Sequence, residues 1–141
     1  MIDFKLIRDL GKQEERLRMA VIKQEARATR ITTSVSGMPR GGGNPKQTED
    51  EIIQLAMIRD QHQEIKAELD GRRAELRTRM RRIRNGVQRT ALVMRYMQNA
   101  KIGDIMDVLN YSRSQVIRIL GKAEEIINRE TGRKNVEHHD T

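Results

Sequence analysis

Residues 87–129 read VQRTALVMRYMQNAKIGDIMDVLNYSRSQVIRILGKAEEIINR, and this stretch decides the fold. Its apolar residues recur at spacings of three and four, which is typical of short helices that each bury one face. The pattern predicts three helices, over 87–98, 102–109 and 113–129. The residues expected to face inward are Val87, Ala91, Met94, Tyr96, Ile102, Ile105, Met106, Leu109, Val116, Ile119, Leu120, Ala123 and Ile127.

The connection between the last two predicted helices is the turn Asn110-Tyr111-Ser112. Ser112 is well placed to cap the third helix, since a serine side chain accepts a hydrogen bond from a first-turn amide. Two helices joined by about three residues form the helix-turn-helix, whose second helix enters the major groove of DNA. The sequence therefore predicts a helix-turn-helix whose recognition helix begins at Arg113.

The outward face of this third helix carries the side chains that read base edges. The residues left pointing outward are Arg113, Ser114, Gln115, Arg118 and Lys122. Arginine pairs with guanine and glutamine with adenine, and no acidic residue occurs before Glu124. An ordinary solvated face of an amphipathic helix is the alternative interpretation. A helix start without acidic residues is unusual in a chain that has 20 of them, so we favour DNA contact.

The segment RYMQNAKIGDIMDVLNYSRSQVIRILGKA, residues 95–123, resembles the region-4 helix-turn-helix of bacterial sigma factors. The shared features are an Arg-Tyr pair that closes one helix and a Ser-Arg-x-x-Val-x-x-Ile pattern in the last one. Together with the upstream loop SVSGMPRGGG, residues 34–43, it resembles the ArpU/RinA-like group of phage and prophage regulators. Asn110 stands where that group usually has a turn glycine.

This resemblance implies a sequence-specific, double-stranded DNA-binding activator of phage late genes that acts on the nucleoid in the host cytoplasm. By position, the base-reading residues would be Arg113, Ser114, Gln115 and Arg118. The positions that match contacts to the DNA backbone are Lys101 and Ser112. Host RNA polymerase is a further candidate partner.

A long helix precedes the DNA-binding segment and is predicted over 48–85, ending at the Asn85-Gly86 break. Thr48 and Glu51 form a capping-box pattern at its start. Its heptad-like stripe contains Leu55, Ile58, His62, Ile65, Leu69, Arg72, Leu76, Met80 and Ile83. A single helix cannot bury such a stripe, so it must pack on the first helix, on a second copy, or on both. We expect a homo-oligomer, with a dimer favoured, through the long helices.

The remaining segments are an N-terminal amphipathic helix over 1–33, a flexible Gly/Pro-rich linker over 34–47 and a polar tail over 131–141. Glu14 and Gln24 interrupt the apolar stripe of the first helix, and Gly11 is expected to be its weak point. The fold class is therefore all-α: two long helices, then a three-helix helix-turn-helix domain over 86–130.

The charge distribution suits a polyanionic partner. The chain carries 28 Lys+Arg against 20 Asp+Glu, a formal net charge of +8. Residues 71–84 alone hold seven arginines and one acidic residue. These arginines form either a solvated helix face or a set of phosphate contacts, and the sequence leaves both interpretations open.

Several function classes lack support in the sequence. It contains no cysteine, no run of eighteen apolar residues and no secretory signal pattern, so we expect a cytoplasmic protein without a membrane partner. The three histidines, His62, His138 and His139, do not form a metal-ligand pattern, and no nucleophile–base set is visible. We expect no enzyme activity, metal or cofactor. Alternative functions are a small terminase-like DNA-packaging subunit and an RNA polymerase-binding adaptor.

Overall fold

The computed structural model describes residues 1–37 and 45–140, with side chains described for residues 1–29 and 49–129. Helices are the only regular secondary structure in these residues, which confirms the all-α prediction. The elements in chain order are α1 (Phe4–Gly37), α2 (Pro45–Met80), α3 (Gly86–Leu92), a π-helical turn (Val93–Met97), α4 (Ile102–Leu109) and α5 (Arg113–Asp140). None of these helices is long and apolar enough to cross a membrane.

Several helix ends differ from those predicted. Helix α1 continues through Gly37 and α5 through Asp140, so the predicted linker and tail are both partly helical. Helix α2 begins at Pro45 rather than at Thr48, and a proline is favoured at the first helical position because its φ is already helical. Residues 38–44 of the predicted linker lie outside the described residues.

The chain divides into two compact units. The core unit contains residues 1–11 and 69–141, and the hairpin unit contains residues 12–68. These units do not follow the predicted segments, because the N-terminal residues group with the C-terminal helices and α2 contributes to both units.

The hairpin unit consists of the antiparallel parts of α1 and α2, held together by polar contacts. The Nε2 of Gln24 donates to the backbone carbonyl of Glu51 at 3.2 Å and also to the Glu51 carboxylate. His62 Nε2 lies 2.9 Å from Glu14 Oε2. Gln24 and Glu14, which interrupt the apolar stripe of α1, therefore provide the contacts to α2. Glu51 bonds across the hairpin, whereas the capping box predicted it to turn back to Thr48.

The apolar stripe predicted over residues 48–85 is partly buried within the chain. The buried members of this stripe are Leu55, Leu69, Leu76, Met80 and Ile83. Leu69 and Leu76 have no exposed surface at all. These five residues are therefore covered by other residues of the same chain.

The core unit is built around α5, which packs against α3 and α4. The buried side chains of these three helices are Ala91, Leu92, Ile105, Val116, Leu120, Ala123 and Ile127. All of them except Leu92 belong to the predicted inward set. The predicted helix over 87–98 is present, but it ends in a π-helical turn in which Gln98 N–H donates to the Val93 carbonyl.

The break at Asn85-Gly86 is present, and its mechanism is a helix cap. Helix α2 has already ended at Met80, and Asn85 is extended, with φ −73°. The Asn85 side chain accepts hydrogen bonds from the amides of Val87 at 2.9 Å and Gln88 at 3.0 Å. Asn85 therefore starts α3 as its N-cap.

The first residues of the chain complete the core unit, which the sequence did not predict. Ile2 N–H donates to Asn128 Oδ1 at 2.9 Å, and the Asn128 amide donates back to the Ile2 carbonyl at 3.4 Å. The Phe4 and Tyr96 rings are 5.0 Å apart at an interplanar angle of 47°. Offset aromatic pairs of this kind add to the stability gained from burial.

Gly11 is a point of close approach, and the prediction of a weak point was wrong. Helix α1 continues unbroken through Gly11, which is buried. A Cβ atom there would lie 2.1 Å from Asn99 Oδ1. The Asn99 side-chain amide donates to the Gly11 carbonyl at 3.2 Å, while Arg73 donates to Asn99 Oδ1 at 3.1 Å. Only a residue without a side chain fits this contact.

Candidate nucleic-acid interface

The turn between α4 and α5 has the predicted length of three residues. Asn110 adopts a left-handed conformation, with φ 60° and ψ 43°, and its amide donates to the Met106 carbonyl at 2.8 Å. Asparagine enters this region more readily than other residues with side chains. Asn110 therefore performs the conformational role of the turn glycine that it replaces.

A capping box at Ser112 and Gln115 starts α5. Ser112 Oγ accepts from the Gln115 amide at 3.3 Å, and Gln115 Oε1 accepts from the Ser112 amide at 2.9 Å. The Ser-x-x-Gln pattern was visible in the sequence as a capping signal. Gln115 was predicted only as a base-reading residue, and in this structure its side chain also stabilises the first turn.

All seven residues predicted to contact DNA are exposed. These residues are Lys101, Ser112, Arg113, Ser114, Gln115, Arg118 and Lys122. Six of them lie at the start of α5, opposite its buried face. Hydrogen bonds join Ser112 to Ser114 and Gln115.

The exposed start of α5 has no acidic neighbour on its own helix that competes for its cations. Glu124, the first acidic residue of α5, is hydrogen-bonded to Tyr96. Glu125 lies 3.8 Å from Arg129, one turn further along. Within the described side chains, Arg113, Arg118 and Lys122 form no salt bridge. Their charges are available to a ligand.

Lys101 lies on a different element from the other six residues. It precedes the first residue of α4, and its backbone amide donates to Asp104 Oδ2 at 3.2 Å. This bond is one half of a capping box and leaves the ammonium group exposed. Lys101 is a cation at the N-terminal end of α4, where the helix dipole also favours anions.

Arg8 and Arg95 add positive charge at Ala100, just before Lys101, and were not predicted as site residues. Both guanidinium groups donate to the Ala100 carbonyl, Arg8 at 3.3 Å and Arg95 at 3.1 Å. Burial lowers the pKa of Arg95, and the charges of Arg8 and Arg113 lower this pKa further. Arg8 is distant in sequence from the predicted site, and no pattern in the sequence indicated that it would lie there.

Buried Tyr96 and half-buried Glu124 form a hydrogen-bonded polar pair. Burial raises the pKa of Tyr96, and the charge of Glu124 acts in the same direction. Burial also raises the pKa of Glu124, while the hydrogen bond from Tyr96 and the charge of Arg95 oppose that rise. The pair connects the π-helical turn to α5, so it supports the helix that carries the candidate site.

The arginine-rich stretch 72–84 divides into two groups. Arg73 acts inside the core unit, where its Nε donates to the Tyr96 carbonyl at 2.8 Å. Arg79 contacts Glu75 one turn away, at 3.3 Å. The exposed members of the stretch are Arg77, Arg81, Arg82 and Arg84. These four exposed arginines form no ion pair with a described side chain.

The described residues do not form a group that is typical of a metal site. No cluster of three or more His, Cys, Asp or Glu side chains there is suited to hold a metal ion. His62 is paired with Glu14, and the side chains of His138 and His139 lie outside the described residues. The prominent chemical feature of the described surface is therefore the cationic face of α5.

The fold and this surface define an all-α protein with an exposed cationic helix. Residues 30–128 match the family described as "Protein of unknown function (DUF1492)". This match covers more than half of the chain, so the chain belongs to that family. No curated protein and no solved structure matches the chain.

Proposed function

We propose that the chain is a sequence-specific, double-stranded DNA-binding transcription regulator. In this proposal α4, the turn over 110–112 and α5 form a helix-turn-helix, with α5 in the major groove. The single observation that carries it is the exposed start of α5, where Arg113, Arg118 and Lys122 have no ion-pair partner among the described side chains. Unpaired cations on a rigid helix are suited to bind an anionic ligand.

The composition of this face favours base reading in addition to charge attraction. Arg113 and Arg118 are suited to bidentate contacts with guanine, and Ser114 lies between them on the same exposed surface. Gln115 is exposed, but contact with adenine would require its side chain to leave the Ser112 amide. We therefore assign most of the base readout to the two arginines.

Phosphate contacts would come from the cations around this face. Lys101 precedes α4, and Arg8 and Arg95 both donate to the carbonyl of Ala100, the residue before Lys101. Contacts of this kind fix the orientation of a protein on the duplex without reading its sequence. The resemblance of residues 95–123 to sigma region 4, and to ArpU/RinA-like regulators, favours late-gene activation in a phage or prophage.

The test is a selection from a random duplex library, comparing wild type with two matched variants. Arg113→Ala/Arg118→Ala removes two charges from α5, and Arg81→Ala/Arg82→Ala removes two exposed charges outside it. We expect wild type to enrich one defined sequence. We expect the α5 variant to lose at least about tenfold in affinity for it, because each bidentate contact contributes about 1–3 kcal/mol.

The control variant separates base reading from general charge. Arg81→Ala/Arg82→Ala should select the same sequence as wild type, with at most a smaller dependence on salt. Equal losses in both variants would reduce the proposal to nonspecific polyanion binding. A wild-type protein that enriches no sequence would contradict the proposal.

A second candidate, the RNA polymerase-binding adaptor, is favoured by one surface feature. An open groove of about 390 Å³ lies beside α4. It is lined by Arg89, Thr90, Val93, Met94, Gln98 and Val108. Apolar grooves of this kind accommodate side chains of partner proteins. Polymerase capture that is lost in Val93→Asp, in a chain that selects no DNA sequence, would favour this second function.

A further inference from the structure

The hairpin unit has almost no core of its own. Among its described side chains, the only buried residues are Leu55 and Gln24, and Gln24 is polar. A unit of this size normally needs a much larger buried apolar surface to be stable. All but one of its described apolar side chains are therefore half-buried or exposed in the single chain.

The same unit exposes a set of large apolar side chains. Their exposed fractions are 56% for Met19, 52% for Ile22, 53% for Ile52, 51% for Ile53 and 62% for Met57. The other exposed large hydrophobic residues of the described chain are Met1, Val108, Tyr111 and Ile117, all in the core unit. Large apolar side chains that stay exposed are typical of a protein–protein contact when they form one patch.

Ile22 and Ile52 lie at the same level of the hairpin. Gln24 is bonded to Glu51, and the two helices are antiparallel, so residue 22 of α1 and residue 52 of α2 are both displaced in the same direction from that contact. Each is more than half exposed. The two isoleucines therefore lie at one level of the hairpin, where both helices expose apolar side chains.

The charges of the two helices are complementary, which identifies the occupant of this surface. Residues 12–29 of α1 contain five basic and three acidic residues, whereas residues 49–68 of α2 contain two basic and six acidic residues. Arg59 of α2 and Glu25 of α1 run against this pattern, and they are already paired with each other at 2.9 Å within the hairpin. A second copy related by a two-fold axis would place its α2 against α1 of the first copy and bring opposite charges together again.

We infer that the exposed apolar face marked by Ile22 and Ile52 is a homodimer surface, on which the hairpin units of two copies form a four-helix assembly. This differs from pairing through the apolar stripe predicted over 48–85, because five of its residues are already buried within one chain. The inference rests on the hairpin unit alone and does not depend on DNA binding by α5.

The test measures the mass of the full chain by sedimentation equilibrium, for wild type and two double variants. Wild type should show twice the 16.4 kDa of one chain. Ile22→Glu/Ile52→Glu and Ile22→Lys/Ile52→Lys should each be monomeric with unchanged helical circular dichroism, because both positions are exposed in the single chain. Val108→Glu, an equally apolar and exposed change in the core unit, should remain dimeric.

Mixing the two double variants separates a lost interface from a damaged fold. The Glu and Lys variants carry opposite charges on the same face, so an equimolar mixture should recover the dimer. A monomeric wild type, a Glu variant with the wild-type mass, or a mixture that stays monomeric would each overturn the inference. Loss of DNA selection with an intact dimer would contradict only the proposed function.

Discussion

Of the two units, the core unit contains sixteen of the seventeen buried hydrophobic side chains in the described part of the chain, whereas the hairpin unit contains one, Leu55. Both units are helical, and they share α1 and α2. The difference shows that helix content does not determine packing. The core unit supports the exposed, cationic start of α5, and the hairpin unit leaves large apolar side chains exposed.

The largest expected effect follows from truncating one buried side chain in each unit. Ile105→Ala should lower the free energy of unfolding by about 2–5 kcal/mol, because Ile105 is fully enclosed and its removal leaves a cavity. Leu55→Ala should cost roughly half of that or less, because fewer atoms surround Leu55. Urea unfolding followed by circular dichroism measures both. Equal losses would contradict the difference between the units.

A smaller loss is expected at the close contact within the core unit. Gly11→Ala should lower the free energy of unfolding by about 1–3 kcal/mol, since the new methyl group meets Asn99 Oδ1. Gly71→Ala is the matched control, because nothing lies within 4 Å of a Cβ atom there. The control should be neutral or gain up to about 1 kcal/mol from helix propensity. Similar thermal unfolding of both variants would refute the close contact.

The next prediction separates the fold of α5 from its surface. Gln115→Glu keeps a residue that completes the capping box with Ser112, so the unfolding free energy should change by less than about 0.5 kcal/mol. The new charge lies on the cationic face and should weaken binding to the selected duplex by about tenfold, or about 1.4 kcal/mol. Fluorescence anisotropy measures the affinity. Unchanged affinity would argue against DNA contact by this face.

The smallest expected effect is a pH dependence of the core unit. Because burial raises the pKa of Glu124, the folded state favours the protonated form, and this stability is lost as the pH rises above the ordinary value of 4.5. Glu124→Gln cannot ionise, so its stability relative to wild type should increase over that range. Thermal unfolding of both proteins from pH 4 to pH 7 tests this. A constant difference between the two would contradict it.

The sequence predicted the elements whose determinants are local. Helix α4 has the predicted bounds, α5 starts at the predicted Arg113, and the turn over 110–112 has the predicted length. The spacing of apolar residues and the capping residues that determine each of these features lie within a few residues of it. The buried stripe of α2 was predictable for the same reason, since its spacing requires a packed face.

Features that depend on distant residues were not predictable. The need for glycine at position 11 comes from Asn99, and the contact of Arg8 with Ala100 follows from the packing of residues 1–11 within the core unit. Neither of these contacts between distant residues produces a periodic pattern in the sequence. Gln115 is a different case, because its capping role was visible in the pattern but its outward position suggested base reading alone.

The most direct test of the central claim is an NMR titration of the full chain with the selected duplex. We predict that amide chemical shifts change saturably at residues 113–122 and near Lys101, with the hairpin unit over residues 12–68 unaffected. Shift changes that concentrate in the hairpin unit, or that occur equally with an unrelated duplex, would contradict the account of α5 as the DNA-reading helix.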